Sequence, residues 1–336
     1  MARGQSIKSL LQRFGLSGQI GLWRLLAFLF ALLNLKNLPF SWHIRLLKGL
    51  FTHLRSSRVR LASKAGPAAL FQPMITSSRS GTYECDYNFH KSNSTYFSDF
   101  DVGRLELLVS LCTHGIEKTR QELAKEGPES FAVMLGAVSC NFRREIKPFQ
   151  GFEIWTRMLT WDHKWFYVIG HFVKKGAVRP KSYTLQPWKN RAQEESNGPV
   201  WEKAGPHPAI FASGIAKYVC KKGRRTIPPE RVLQASGLLP PKPADHETPP
   251  ISMTPNPEGD SINAAAASLG AQLTPDNPGE VLAASLTASG FDNDEWTWER
   301  VEKERQRGMK FAELYNSMEM LHEEFTGDER PVLGRY

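Results

Sequence analysis

The chain has 336 residues, which is enough for one large domain or two ordinary ones. Its net charge of +9 is uneven, because residues 1–83 contain twelve Lys and Arg and no acid, whereas residues 239–336 contain 8 basic and 18 acidic residues. The four cysteines lie far apart and lack the paired spacing of a zinc site or a disulfide framework, which indicates thiols of a reducing compartment. We predict no metal and no cofactor.

The N-terminal arm, residues 1–80, is both basic and apolar. Nine uninterrupted apolar residues, Leu25–Leu33, are too few for a spanning helix, which needs about 20. Basic residues interleaved with leucine and tryptophan predict an interfacial or barely spanning anchor on an anionic membrane, rather than nucleic-acid binding. The alternatives are helices packed on the protein's own core and an acid-free transit peptide. We expect an intracellular, membrane-associated protein, with residues 55–80 as a linker.

The compact region, residues 81–237, reads as two helices followed by long strands with short connections. The predicted elements are helices at Thr95–Cys112 and Ile116–Lys125 and strands at Phe131–Ile146, Phe152–Trp161, Trp165–Lys175 and Ile210–Lys221. This order predicts an α+β fold in which a curved antiparallel sheet wraps around a buried helix. Residues 177–208 read as an insertion, 238–290 as a disordered linker and 291–336 as a C-terminal helix.

One short stretch, "ECDYNFHKSNSTYF" from residue 84, crowds polar groups in front of the first helix. Its Asp86, His90, Asn93 and Tyr96 have the offsets found in hotdog-fold thioesterases of the 4-hydroxybenzoyl-CoA thioesterase type. The sequence resembles that family over about residues 80–232, and is most like its eukaryotic membrane-anchored branch and fungal thioesterases of peptide and polyketide biosynthesis. Lys91 departs from the pattern, since a hydrophobic residue is usual there.

The resemblance implies a hotdog fold, a homodimer with its sites at the interface, and hydrolysis of acyl-CoA or acyl-carrier-protein thioesters. It implies that Asp86 is the nucleophile or the base that orients water, that His90 assists it, and that the Asn93 N–H polarises the carbonyl. It also places Tyr96 beside the substrate.

Basic pairs on the strand ends could bind the phosphates of coenzyme A or of a carrier arm. These residues are Arg143, Arg144 and Arg224, and the alternative is that they are solvated charges.

Three other interpretations are open. Asp86 and the "SNST" stretch could serve only as turn and helix caps. A hotdog hydratase would have its histidine five residues after the aspartate and a proline between them, whereas His90 is four residues after Asp86. The third is a non-catalytic, membrane-tethered lipid-binding scaffold. The sequence has no G-x-S-x-G elbow, and His163 and His171 read as packed strand residues.

Overall fold

The computed structural model describes residues 18–56, 65–180, 182–186, 189, 209–243 and 296–322. The chain divides into two compact units, residues 1–239 and 240–336. The helices are α1 (Gly18–Leu33), α2 (Ser41–Ser56), α3 (Asn93–Ala124), α4 (Pro229–Ala235) and α5 (Trp298–Asn316). The strands are β1 (Met74–Arg79), β2 (Phe131–Phe142), β3 (Gly151–Trp161), β4 (Trp165–Lys174), β5 (Ile210–Lys222) and β6 (Arg225–Ile227).

The sheet of the first unit is antiparallel at every pairing, in the order β1-β3-β4-β5-β2, and β6 pairs with the end of β5. Short turns connect β3 to β4 and β5 to β6, as antiparallel neighbours allow. The sheet curls around the long helix α3, so the predicted α+β hotdog fold is confirmed. The core between helix and sheet is largely aromatic, and contains Tyr96, Phe100, Ile146, Phe152, Ile154, Phe172, Phe211, Ala212 and Ala216.

A pair of glycines lets α3 lie close to the sheet. Gly170 of β4 is directly opposite Gly214 of β5. A Cβ atom at these two positions would lie 2.3 and 2.8 Å from the ring of Phe100. The two glycines therefore form a notch that the Phe100 ring fills, and this ring fixes the helix on the sheet in one position.

The helix α3 is continuous over 32 residues, so the prediction of two helices divided near residue 115 was wrong. Gly115 is buried inside this helix, and its Cβ would lie 2.1 Å from the carbonyl oxygen of Val232 and 2.2 Å from Ser236 Oγ. Close packing of the α4 segment requires the glycine, and no helix end is present there.

The strand predictions were confirmed except at some ends. The first predicted strand ends at Phe142, and Ile146 lies beyond it as a buried residue. The linker prediction for residues 55–80 was wrong in its last part, because Met74–Arg79 forms edge strand β1 against β3. Most of the predicted insertion, 177–208, and of the predicted linker, 238–290, lies outside the described residues, and the C-terminal helix is α5.

The part of the arm that the structure describes contains the α-helices α1 and α2, and none of the helices in the described ranges is long and apolar enough to cross a membrane. α2 packs on α3, where His53 Nδ1 lies 2.9 Å from Ser110 Oγ and Gly49 lies against Glu106. The alternative of packing on the protein's own core is therefore correct for one face of α2. The outward surface of both helices is apolar, with sixteen exposed large hydrophobic side chains between Leu22 and Leu54.

Candidate active site

A closed loop presents the predicted catalytic aspartate. Cys85 and Lys91 form an isolated antiparallel bridge. Inside it, the Asp86 N–H donates to the His90 carbonyl at 3.0 Å, and the Phe89 N–H donates to the Asp86 carbonyl at 3.0 Å. Phe89 has a φ of 57°, a strained value for a bulky residue. Strain of this kind persists where the surroundings fix the loop, so the loop has one well-defined shape.

The Asp86 carboxylate is partly exposed, and one of its two oxygens accepts a hydrogen bond within the loop. Its Oδ1 accepts a hydrogen bond from the Asn88 N–H at 3.0 Å, and its Oδ2 lies 3.6 Å from His90 Nδ1. His90 Nδ1 is also 3.3 Å from the Lys91 carbonyl oxygen. About a quarter of each of the Asp86 and His90 side chains is exposed, 24% and 26%. The turn therefore uses one carboxylate oxygen and leaves the other facing the histidine and solvent.

The N-terminus of α3 follows this loop and is open. Asn93 is the first residue of the helix and is exposed, so its N–H has no carbonyl one turn earlier to bond. Among the described residues the preceding Ser92 makes no side-chain capping bond; its hydroxyl lies 3.1 Å from the Ser94 hydroxyl. A carbonyl oxygen can thus reach free N–H groups at the positive end of the helix dipole. The capping interpretation thus lacks a Ser92 bond, whereas the hydrogen bond from the Asn88 N–H to Asp86 is the contact that its turn part expects.

The structure places Tyr96 in the core rather than on the open side of the loop. Its ring packs on Phe142 and Phe172 at centroid distances of 5.0 and 4.9 Å, and it is 2% exposed. Burial raises the pKa of its hydroxyl. Tyr96 therefore seats the first turn of α3 on the sheet, and that turn positions Asn93.

The predicted arginines do not come together in one chain. Arg143 and Arg144 are exposed just after β2. The backbone N–H groups of both residues donate to the Phe211 carbonyl, at 2.8 and 2.9 Å. Arg224 lies in the β5–β6 turn beside the far end of α3, where Arg225 pairs with Glu126. A 32-residue helix is about 48 Å long, so Arg224 is remote from the Asp86 loop of its own chain.

Under the loop lies a cluster of five ionic side chains that was not predicted from the sequence, here called the charge cluster. It contains Lys36, Arg45, Glu84, Lys91 and Asp99. Lys36 Nζ contacts Glu84 Oε1 at 2.8 Å and Asp99 Oδ2 at 2.7 Å. Arg45 donates to Asp99 Oδ1 at 2.8 Å. Lys91 Nζ lies 3.2 Å from Glu84 and 2.9 Å from Asp99, in contacts that are electrostatic rather than well-angled hydrogen bonds.

The charge cluster keeps the buried carboxylate of Asp99 ionised. Burial by itself would raise the pKa of Asp99, but Lys36, Lys91 and Arg45 outweigh it and hold that pKa below its ordinary value. Burial, together with the repulsion of Lys91, lowers the pKa of Lys36. The Lys91 side chain is fully buried and also lies over the rings of Tyr96 and Phe152. Lys91, which stands where the family pattern has a hydrophobic residue, is therefore a paired internal cation.

Other candidate groups are structural. His171 Nδ1 lies 2.8 Å from Ser213 Oγ, and burial followed by the charge of Arg157 lowers the pKa of His171 to about 4. His163 is exposed in the β3–β4 turn, so its prediction as a packed residue was wrong. Arg104 is buried over the rings of Phe100 and Tyr218 and pairs with Asp101.

The comparisons with known proteins identify the family of the chain. The model of the thioesterase-like superfamily matches residues 80–233. Thioesterase poxG of Penicillium oxalicum is 34% identical over 94% of this chain and 90% of its own length. Probable thioesterase atnL of Emericella nidulans is 33% identical over 91% and 89%. The crystal structure of the probable thioesterase YbaW from Escherichia coli is 14% identical, covers 49% of this chain and 96% of its own, and has a TM-score of 0.32.

A curved antiparallel sheet around one long helix is the hotdog fold, and the relatives of the chain are thioesterases. The chain belongs to the thioesterase-like superfamily, and its activity is the hydrolysis of an acyl thioester.

Proposed function

We propose that Asp86, His90 and Asn93 form the hydrolytic site. The observation that supports this most is the juxtaposition of a partly exposed carboxylate with an uncapped helix N-terminus in one closed loop. The Asn93 N–H and the dipole of α3 stabilise the negative charge that develops on the thioester oxygen. His90, 3.6 Å from the carboxylate, orients it.

Two routes supply the attacking oxygen. As a general base, Asp86 takes a proton from water while the water oxygen adds to the carbonyl carbon; the carbon–sulfur bond then breaks and the thiolate takes up the proton. As a nucleophile, Asp86 forms a mixed anhydride with release of the thiol, and water then hydrolyses the anhydride. Both routes yield one acid and one thiol for each water consumed, and both need the negative charge of Asp86.

We infer that the thiol carrier is coenzyme A or the pantetheine arm of a carrier protein. Arg143 and Arg144 are exposed at the end of β2 that adjoins the loop, since Tyr96 contacts Phe142 there. Two guanidinium groups at that place can bind the phosphates of either carrier. The likeness to fungal thioesterases supports a role in fungal biosynthesis. From the sequence of the arm we propose, separately, an intracellular, membrane-associated setting.

Replacing Asp86 by Asn removes the charge and keeps the size of the side chain. We expect turnover of a long-chain acyl-CoA, measured as free thiol released, to fall roughly 10²- to 10⁴-fold, the range of general-base catalysis. Thermal melting should be unchanged, because asparagine can still accept the Asn88 N–H.

Asn88→Ala is the matched control for Asp86→Asn, because it alters the same loop and retains both the Asp86 charge and the residue 88 N–H. A folded Asp86→Asn protein with wild-type turnover would leave Asp86 as a turn residue. Wild-type protein that binds acyl-CoA without releasing thiol would instead favour the lipid-binding scaffold.

The role of the Asn93 N–H can be separated from that of its side chain. Proline is well tolerated at the first position of a helix, and Ser92 already has the extended backbone that proline requires of its predecessor, with φ −60° and ψ 137°. Asn93→Pro should therefore fold and yet lower kcat by about 10²-fold or more, the cost of one lost oxyanion donor. Asn93→Ala keeps the N–H and should change kcat little. Equal kcat values for the two folded variants would contradict the role of the N–H.

We propose that the protein is a homodimer paired through β2. This strand of 12 residues is at the edge of the sheet and exposes Met134, Leu135 and Phe142. Long apolar edges are unstable in water unless they are paired or protected. A two-fold axis would run the paired strands antiparallel, with the Phe131 end of one beside the Phe142 end of the other. Arg224 of a second protomer would then approach the Asp86 loop of the first.

Lysines on the β2 edge should block this pairing. Met134→Lys/Leu135→Lys is expected to convert a dimer to a monomer in sedimentation velocity of the full chain in nonionic detergent, and to lower kcat, because each site would lose its neighbouring protomer. Met320→Lys/Leu321→Lys, at two exposed positions of the second unit, is the matched control and should stay dimeric. Wild-type protein that sediments as an active monomer would exclude the proposal.

We also propose that the arm binds an anionic membrane surface. α1 carries one charged residue in 16 and is exposed on most of its surface, with Trp23 69% and Phe28 64% exposed. A helix that is apolar all round is stable only in a protein core or in lipid. Its 16 residues are about 24 Å long, short of a 30 Å hydrocarbon core. The absence of acids in residues 1–83 favours anionic headgroups.

Two exposed aromatic residues test membrane binding. Trp23→Glu/Phe28→Glu should weaken co-sedimentation with vesicles of phosphatidylcholine and phosphatidylserine by at least about tenfold, because each buried aromatic contributes roughly 1.5–3 kcal/mol. Leu314→Glu/Met318→Glu carries the same charges on α5 and on the 3-10 helix that follows it, and should bind like wild type. Binding should also weaken in pure phosphatidylcholine. A wild-type protein that stays in the supernatant at low salt would show that the arm is no anchor.

A further inference from the structure

The arm contacts the segment that leads into the Asp86 loop, at a joint between the α1–α2 connection and residues 81–84. Asn34 is buried; its Oδ1 accepts the Tyr83 N–H at 2.8 Å, and its Nδ2 lies 2.9 Å from Thr82 Oγ1. The contact is close enough that a Cβ on Gly81 would lie 2.9 Å from Asn34 Oδ1 and 3.0 Å from Asn37 Nδ2. The joint lies two residues before Asp86 in the chain.

The charge cluster makes a second connection between the same parts. Its anions lie on either side of the loop: Glu84 comes just before the Cys85–Lys91 bridge, and Asp99 is in the second turn of α3. The loop and the helix themselves contribute only one of its cations, Lys91. The other two, Lys36 and Arg45, come from the arm. Both carboxylates are nearly inaccessible to water, at 4% and 0% exposure.

Charge balance then determines the shape of the loop. With Lys36 and Arg45 in place, three cations surround two carboxylates. Without them, Lys91 would face two buried carboxylates alone, and a buried charge without a partner is strongly destabilising. The least costly response is for Glu84 or Asp99 to move toward water, and either movement shifts the loop that bears Asp86 or the turn that bears Asn93.

We propose that Lys36 and Arg45 are positioning residues for the thioesterase reaction, so that the arm is part of the catalytic apparatus as well as a means of attachment. This inference rests on the proposed site at Asp86 and Asn93. Lys36 acts through Glu84 and Asp99 on both sides of the loop, and Arg45 acts through Asp99 alone. Neither side chain contacts the substrate.

The central test is the split between kcat and KM in the full-length protein. Lys36→Met keeps the length of the side chain and removes its charge. It should lower kcat roughly 10- to 100-fold, which is the cost of displacing a catalytic group by about 1 Å. The KM for a soluble acyl-CoA and the binding to vesicles should be unchanged. Lys36→Arg restores the charge and should regain most of the kcat. Lys118→Met removes an exposed lysine of α3 and should behave like wild type.

Two further variants keep the test decisive. Lys36→Met leaves Glu84 with Lys91 alone among the cations of the cluster, so Glu84→Gln combined with Lys36→Met removes the carboxylate that lost its partner and should recover part of the lost kcat. If Lys36→Met does not fold, Arg45→Met replaces it, because Arg45 pairs with Asp99 alone among the described residues and is a quarter exposed. The kcat of Arg45→Met should fall less. Wild-type kcat in a folded Lys36→Met or Arg45→Met protein would overturn the inference, as would an equal loss in Lys36→Arg and Lys36→Met.

Asp86→Asn measured in the same assay separates the two proposals. If Asp86→Asn is inactive and Lys36→Met is fully active, the site stands and the positioning role fails. If Asp86→Asn is fully active, the site itself is wrong and the positioning role fails with it. The two results cannot be confused.

Discussion

The buried carboxylates of Glu84 and Asp99 can lie beneath the Asp86 loop only because cations reach them from a distant part of the chain. Asp99 is buried in α3, and Lys36 is 63 residues away in sequence. In a low-dielectric interior the attraction between such charges is strong, but so is the cost of removing each charge from water, and only complete pairing makes the arrangement tolerable. The position of the arm, the bridge between Cys85 and Lys91 and the first turns of α3 all depend on this balance.

The rest of the hotdog unit supports that arrangement through close backbone packing. Phe100 in the notch of Gly170 and Gly214 fixes the height and rotation of α3 above the sheet, and Gly115 against Val232 fixes its distal half. Asp99 directly precedes Phe100, so the ring that seats the helix also sets the depth of the carboxylate. Apolar packing thus determines where the charges lie, and the charges determine how the loop closes.

The sequence predicted those features whose causes are local. Strands β2 to β5 have long β-branched and aromatic runs with clear turns between them, and the loop carries its own motif. The long helix was wrongly predicted as two helices because Gly115 reads as a helix breaker. The glycine is required there instead because the carbonyl oxygen of Val232 packs against it. β1 was missed because "MITSSR" is polar, which an edge strand permits. The sharing of Glu84 and Asp99 by three cations could not be predicted. Nothing in the sequence shows that Lys91 and the distant Lys36 and Arg45 contact the same anions.

The filled notch under α3 also bears on how the enzyme would choose an acyl chain. Phe100 and Tyr96 occupy the space between helix and sheet just past the open helix N-terminus, so a chain cannot run along the underside of α3 without displacing an aromatic ring. It must instead leave the loop sideways, toward the β2 edge and Phe142, or outward across Tyr83 and Phe30, whose rings are in contact. Chain length would then be measured by a neighbouring protomer or by the lipid surface, and not by the depth of a tunnel within one protomer.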